Sequence, residues 1–250
     1  MWEGADSTTR GRAVGMRRSL RLRCMKIETL DHIALWVSDR DALADFLTGH
    51  AGMHVIDRTD KFTLVGSDAR RGKLTLFAAD GKRDAGVLAR IGLRVFDLDE
   101  ALDGLPSGLA VERGDGTAVV DAPEGLRLAL VEAAEGVAYD LHDVAFRVPD
   151  PQATFEQLAG LGFAVEDGAL RAGDSLVLLE EGDPGESEAP LLNHLGLRVE
   201  SADDHIREAE QRGLEIADVV DAANTYAVFV WGPDRIKLEY VEHKPTFSLT

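Results

Sequence analysis

His194 lies in the stretch Leu192-Asn193-His194-Leu195-Gly196-Leu197-Arg198-Val199, where apolar and polar residues alternate. A period of two marks a strand with one buried face, because successive side chains point to opposite sides of a sheet. Leu195, Leu197 and Val199 form the apolar face, while His194, Gly196 and Arg198 face the other way. Imidazole is a common metal ligand, and a glycine on the same face leaves room in front of it. His194 is therefore a candidate ligand. A satisfied histidine at a strand rim is the other reading of the same pattern.

The pattern occurs four times. Asp31-His32-Ile33-Ala34-Leu35-Trp36-Val37 comes first and Ala89-Arg90-Ile91-Gly92-Leu93-Arg94-Val95 second. His142-Asp143-Val144-Ala145-Phe146-Arg147-Val148 is third, and the His194 stretch is fourth. Each has a polar residue (His32, Arg90, Asp143, His194) followed two positions on by Ala34, Gly92, Ala145 or Gly196. Self-similarity at a period of about 50–60 residues points to a repeated supersecondary unit.

Helix-start signals follow each marked strand: Ser38, then Asp150 with Pro151 at the first helical position, then Ser201 with Gly213 closing the turn. The second copy has the weakest helix, Leu98 to Leu105, stopped by Pro106. Short alternating strands follow, in the fourth copy about Leu214 to Val220, Thr225 to Trp231 and Ile236 to Val241. The unit is thus strand, helix, three strands. The fold class is α+β, with sheets covered by helices on one face and open on the other.

Composition excludes several partners. The net charge of −18 argues against nucleic acid. No apolar run reaches the ~18 residues of a membrane span. The lone Cys24 excludes an intrachain disulfide framework and fits a reducing, cytoplasmic compartment. Residues 1–25 read as a disordered basic arm, with Arg10, Arg12, Arg17, Arg18, Arg21 and Arg23 among Gly, Ser and Thr, and Met25 is a plausible true start. Residues 245–250 read as a tail.

Four βαβββ modules with histidine at the front of first strands resemble the vicinal oxygen chelate superfamily. Its members include glyoxalase I, bleomycin-resistance proteins and type I extradiol ring-cleaving dioxygenases. The resemblance covers about Leu30 to Val241. It implies two domains, each a cupped mixed sheet with helices on the outer face. Modules 1 and 2 would make one domain over residues 26–134, and modules 3 and 4 the other over 138–244. The two-domain form looks most like the extradiol enzymes, where the C-terminal domain holds Fe(II) or Mn(II).

In the extradiol pattern the ligands come from the first strands of modules 3 and 4 and the last strand of module 4. The resemblance thus assigns Asp143, His194 and Glu239. Parity agrees, since Ile236, Leu238 and Tyr240 take the core face and leave Glu239 on the open one. A one-residue bulge would present His142 in place of Asp143 and restore the usual two-histidine, one-carboxylate set. The first domain, with His32 and Arg90 at its first-strand positions and Ala129 where the glutamate would stand, is expected to hold no metal. His32, Trp36, Arg90, Arg94 and Arg127 would line an anion or aromatic pocket there, or pair on the surface.

Arg147 and Arg198 are candidate catalytic residues that would bind an anionic substrate group. Phe229 stands ten residues before Glu239, where the extradiol family has a hydrogen-bonding tyrosine, and is a candidate pocket residue. No histidine lies between Asp143 and His194 to serve as the family's acid–base residue, and His243 is expected to be too near the chain end to be ordered over a metal. The resemblance implies a metal-dependent dioxygenase for a small molecule with vicinal oxygens, as an edge-to-edge homodimer. A glyoxalase-type lyase or isomerase, and a metal-free binder of the bleomycin-resistance kind, are the alternatives.

Overall fold

A computed structural model describes residues 26–249. The basic arm at 1–25 and Cys24 lie outside the described residues. No described helix is long and apolar enough to cross a membrane. The first module comprises β1 (Thr29–Val37), α1 (Arg40–His50), β2 (His54–Arg58), β3 (Phe62–Asp68) and β4 (Arg71–Ala78). The second comprises β5 (Leu88–Val95), α2 (Leu98–Asp103), β6 (Val111–Gly114), β7 (Thr117–Asp121) and β8 (Arg127–Glu132). The third runs β9 (Leu141–Val148), α3 (Pro151–Gly160), β10 (Ala164–Glu166), β11 (Ala169–Ala172) and β12 (Ser175–Glu181). The fourth runs β13 (Leu192–Arg198), α4 (Ala202–Arg212), β14 (Ile216–Asp221), β15 (Thr225–Trp231) and β16 (Lys237–His243).

Local chemistry sets the helix starts. The Asp150 carboxylate accepts from Ala153 N and Pro151 opens α3; the Ser201 hydroxyl caps α4, which ends at Gly213 in the left-handed region (φ 65°). In α1 the cap is Asp39, which accepts from Ala42 N, and Ser38 instead gives its N–H and hydroxyl to Glu124 of the second module.

The modules pair differently from the expected 1 with 2 and 3 with 4. One eight-stranded sheet has the order β14-β15-β16-β13-β1-β4-β3-β2, and the other β10-β11-β12-β9-β5-β8-β7-β6. Modules 1 and 4 therefore share one cup, and modules 2 and 3 the other. The central contacts are antiparallel, β1 against β13 and β5 against β9. The short link at 133–140 favours the inner pairing, because it folds back on β5: Arg94 N donates to Asp140 O and Tyr139 N to Arg94 O. The two connectors between the sheets run together, with Asp84 N bonded to Ala189 O and Leu191 N to Asp84 O. Module 4 is thereby returned beside module 1.

The core faces are those that alternation implies. Leu195, Leu197, Ile236, Leu238 and Tyr240 are fully buried, as are Val144 and Phe146 in the other sheet. Each central strand pair breaks alternation at a bulge. Register slips at Asp31 in β1 and Asn193 in β13, and at Ala89 in β5 and His142 in β9. A bulge places two residues opposite one and re-aims a side chain, and these slips fall next to His32, His194, Arg90 and Asp143.

Candidate metal centre

β1 and β13 bring His32 and His194 into one cup, and β16, parallel to β13, adds Glu239. His32 Nε2 and His194 Nε2 stand 3.0 Å apart. Each is also 3.0 Å from Glu239 Oε2. All three side chains are largely buried, and among the described residues they form a group whose donor atoms could hold a metal ion.

Three observations favour a cation at this triangle. Glu239 Oε2 is buried and has no hydrogen-bond partner of acceptable geometry, despite the two close imidazoles. The spacing also fits: donors about 2.1 Å from an octahedral ion in cis positions stand about 3.0 Å apart, against about 3.4 Å for a tetrahedral ion. Finally, both imidazoles are held from behind. Asp31 Oδ2 lies 2.8 Å from His32 Nδ1, and Asn193 Oδ1 lies 3.1 Å from His194 Nδ1. An acceptor at Nδ1 fixes the tautomer that leaves Nε2 free for a metal. Asp31 and Asn193 are the bulged residues, which is how each shares a side of the sheet with the histidine that follows it.

Charge is concentrated here. Burial alone would lower the His32 pKa, but the carboxylates of Glu239 and Asp31 outweigh it and push it up to about 9. Burial would raise Glu239, but the two imidazoles bring it down to about 2. His194 is lowered, burial being the main cause. Asp31 is held well below the carboxylate range: burial opposes this, but Lys73, His243 and His32 prevail. Its Oδ1 takes Lys73 Nζ at 2.8 Å and His243 Nε2 at 3.0 Å.

A cavity of about 310 Å³ opens on His32 and Glu239. Phe62, Phe77 and Phe247 supply aromatic wall, and Lys73, Thr75 and His243 supply polar groups. Phe229 is the direct neighbour of Glu239 across the β15–β16 ladder, and its ring meets that of His194 edge-on at 5.1 Å. It packs behind the ligand and is not among the residues lining the cavity.

His194 and Glu239 of the expected set come together; Asp143 and His142 do not join them. Asp143 lies in the other cup, bonded to Arg90 Nη1 at 2.6 Å and to His142 Nδ1 at 2.9 Å. The bulge at His142 exists, but it serves this ion pair. Arg147 sits near Glu180 in the same sheet, and Arg198 is bonded to Glu28 at 2.9 Å. Neither arginine lines the cavity. The expectation that His32 belongs to a separate domain from His194 is overturned by the β1–β13 pairing, which places His32 in the candidate metal site. Nor do Arg90 and His32 share a pocket, since they stand in different sheets.

Sequence reasoning missed Asp31, Asn193 and Lys73, and it set His243 aside as too near the chain end. The signal for the first two was present: Asp31-His32 and Asn193-His194 place adjacent polar residues where strict alternation demands an apolar one.

A sequence profile of the glyoxalase/bleomycin resistance protein/dioxygenase superfamily matches residues 29–174. No curated protein sequence matches the chain. Among solved structures, a putative dioxygenase from Bacillus subtilis superposes with a TM-score of 0.72 at 19% identity, covering 89% of this chain and 87% of that one. Glyoxalase I from Zea mays superposes with a TM-score of 0.66 at 18% identity, covering 87% and 92%. The cppA protein from Streptococcus pneumoniae gives 0.58 at 15% identity, covering 87% and 98%. At these identities the likeness is one of fold, and it extends over nearly the whole described chain. With the profile match over more than half its length, the chain belongs to the glyoxalase/bleomycin resistance protein/dioxygenase superfamily.

Proposed function

We propose that the chain is a divalent-metal-dependent oxygenase for a small molecule with two vicinal oxygens, of the ring-cleaving extradiol kind. The observation that carries this reading is the number of donors. β1 pairs with β4 in the same parallel sense as β13 with β16. Gly196, two residues after His194, lies opposite Glu239; Ala34, two residues after His32, lies opposite Thr75. Thr75 therefore occupies the place of a second glutamate. Two imidazoles and one carboxylate on one face are the donor set of non-heme Fe(II) oxygenases, which keep open positions for substrate and oxygen. Fe(II) is the preferred ion and Mn(II) the second.

A bound ion of this type supplies Lewis acidity toward two oxygens and a route for electrons to O2. The protein does the rest. Asp31 and Asn193 keep His32 and His194 oriented. Phe62, Phe77 and Phe247 accept a planar apolar body and keep water from it. Lys73 places a cation on the cavity wall, suited to an ionised substrate oxygen. Such a partner is a small molecule, and the acidic chain is unsuited to nucleic acid.

The test is elemental analysis of protein purified without chelator, followed by oxygen electrode traces with catechols. About one equivalent of iron or manganese together with catechol-dependent O2 uptake supports the reading. Metal without O2 uptake, but with turnover of α-hydroxy-carbonyl compounds, selects glyoxalase-type chemistry. Absence of metal after anaerobic reconstitution selects a binding protein.

A further inference from the structure

His243 closes β16 on the same side as Glu239 and Val241, and it lines the cavity that His32 and Glu239 share. The residues beyond it are tied down. Lys244 Nζ binds Asp221 and Ala222 O, and Thr246 Oγ1 donates to Ala223 O at 2.8 Å. Phe247 N donates to Lys244 O at 2.9 Å, and the Phe247 ring stacks on His243 with centroids 4.0 Å apart and planes 8° from parallel. Proximity to the chain end therefore does not leave His243 loose, contrary to the sequence expectation.

The Asp31 carboxylate grips two histidines at once. Oδ2 is hydrogen-bonded to Nδ1 of the ligand His32, and Oδ1 lies 3.0 Å from Nε2 of His243. A carboxylate oxygen offers only lone pairs, so its closeness favours the tautomer with the hydrogen on His243 Nε2 and the lone pair of the neutral ring on Nδ1. Nδ1 has no hydrogen-bond partner among the described residues, and it is not sealed off as a buried unpartnered atom. An imidazole with one nitrogen oriented by a carboxylate and the other free is the arrangement of a general base.

We propose that His243 is the acid–base residue of this site, a role resting on the metal-enzyme reading above. The O–H bond of a substrate hydroxyl breaks, the proton passes to His243 Nδ1, and the electron pair stays on the substrate oxygen. Asp31 then faces an imidazolium, and Lys73, on the same carboxylate oxygen, keeps the cluster cationic opposite the new oxyanion. Asp57 is the remaining charged residue of the cavity wall. Returning the proton to product restores the neutral ring.

The experiment uses full-length metal-loaded protein with 4-nitrocatechol, whose visible spectrum reports its ionisation state, beside His243→Gln and His243→Ala. Expected is unchanged metal content in both variants, retained probe binding with a bound spectrum less ionised than in wild type, and turnover of catechol lowered by about 10²–10⁴-fold. A wild-type-like bound spectrum with turnover within a few-fold of wild type overturns the role of His243. Loss of metal from the glutamine variant also overturns it, by making His243 a structural support of His32. If the wild type binds neither metal nor probe, the metal-enzyme reading itself fails, an outcome separate from the other two.

Discussion

The Cβ that Gly196 lacks would stand 2.3 Å from Cε1 of His32, its partner across the β1–β13 pair. The glycine leaves room for the second imidazole, where the sequence pattern suggested room before His194. Gly196→Ala should displace the His32 ring while leaving both strands paired. Metal affinity should fall by about tenfold or more, measured by competition with a chromophoric chelator, with the circular dichroism spectrum unchanged.

The donor assignment separates residues that look equivalent in sequence. His32→Ala, His194→Ala and Glu239→Gln should each abolish stoichiometric metal binding. Asp143→Asn should keep the metal, since Asp143 belongs to the other cup. Elemental analysis of the four variants decides between the observed triad and the one inferred from the family pattern.

Metal-free protein should lose stability in alkali through His32. Its pKa of about 9 in the fold lies above the ordinary 6.5. Its contribution is therefore complete below pH 6.5 and disappears as pH rises through 9. Glu239, depressed from 4.5 to about 2, contributes above 4.5 and is lost as pH falls through 2. Asp31 and His194, both lowered, also lose stability on acidification. Chelator-treated protein should thus be most stable near pH 6–7. Metal displaces the His32 proton, so saturating metal should remove the decline between pH 6.5 and 9 in thermal melts.

The second cup offers a stability test free of metal. Asp143 is almost fully buried, and Arg90 is its closest partner. Arg90→Ala leaves the carboxylate with His142 alone and should cost about 2–3 kcal/mol in urea unfolding. The double variant Arg90→Ala, Asp143→Ala should recover part of that loss, because no uncompensated charge remains.

Much of this architecture was legible in the chain. Alternation at Leu195, Leu197, Leu238 and Tyr240 gave the buried faces and put His194 and Glu239 on one open side. The third donor was not legible. His32 and Asp143 hold the same position in look-alike strands, and periodicity within a strand carries no information about which strand lies beside it. That choice is made by the connectors, through bonds such as Asp84 to Ala189 and Leu191 that involve only backbone atoms. Asp31 was hidden for another reason. A bulge reverses parity for one residue, so the groups that grip the imidazoles look, in sequence, as though they face the core.

Because module 1 pairs with module 4, the outermost donors sit at positions 32 and 239, near the two ends of the described chain, with His194 between them. An ion bound there acts as a clasp on a loop of about 200 residues, the kind of closure that most restricts an unfolded chain. The clasp cannot form on a nascent polypeptide until β16 has emerged, whereas the inner pair of modules is already complete by Glu181. An ion there would thus be held only once β16 has joined β13, and any proteolytic clip that frees β16 would release it before the inner sheet is lost.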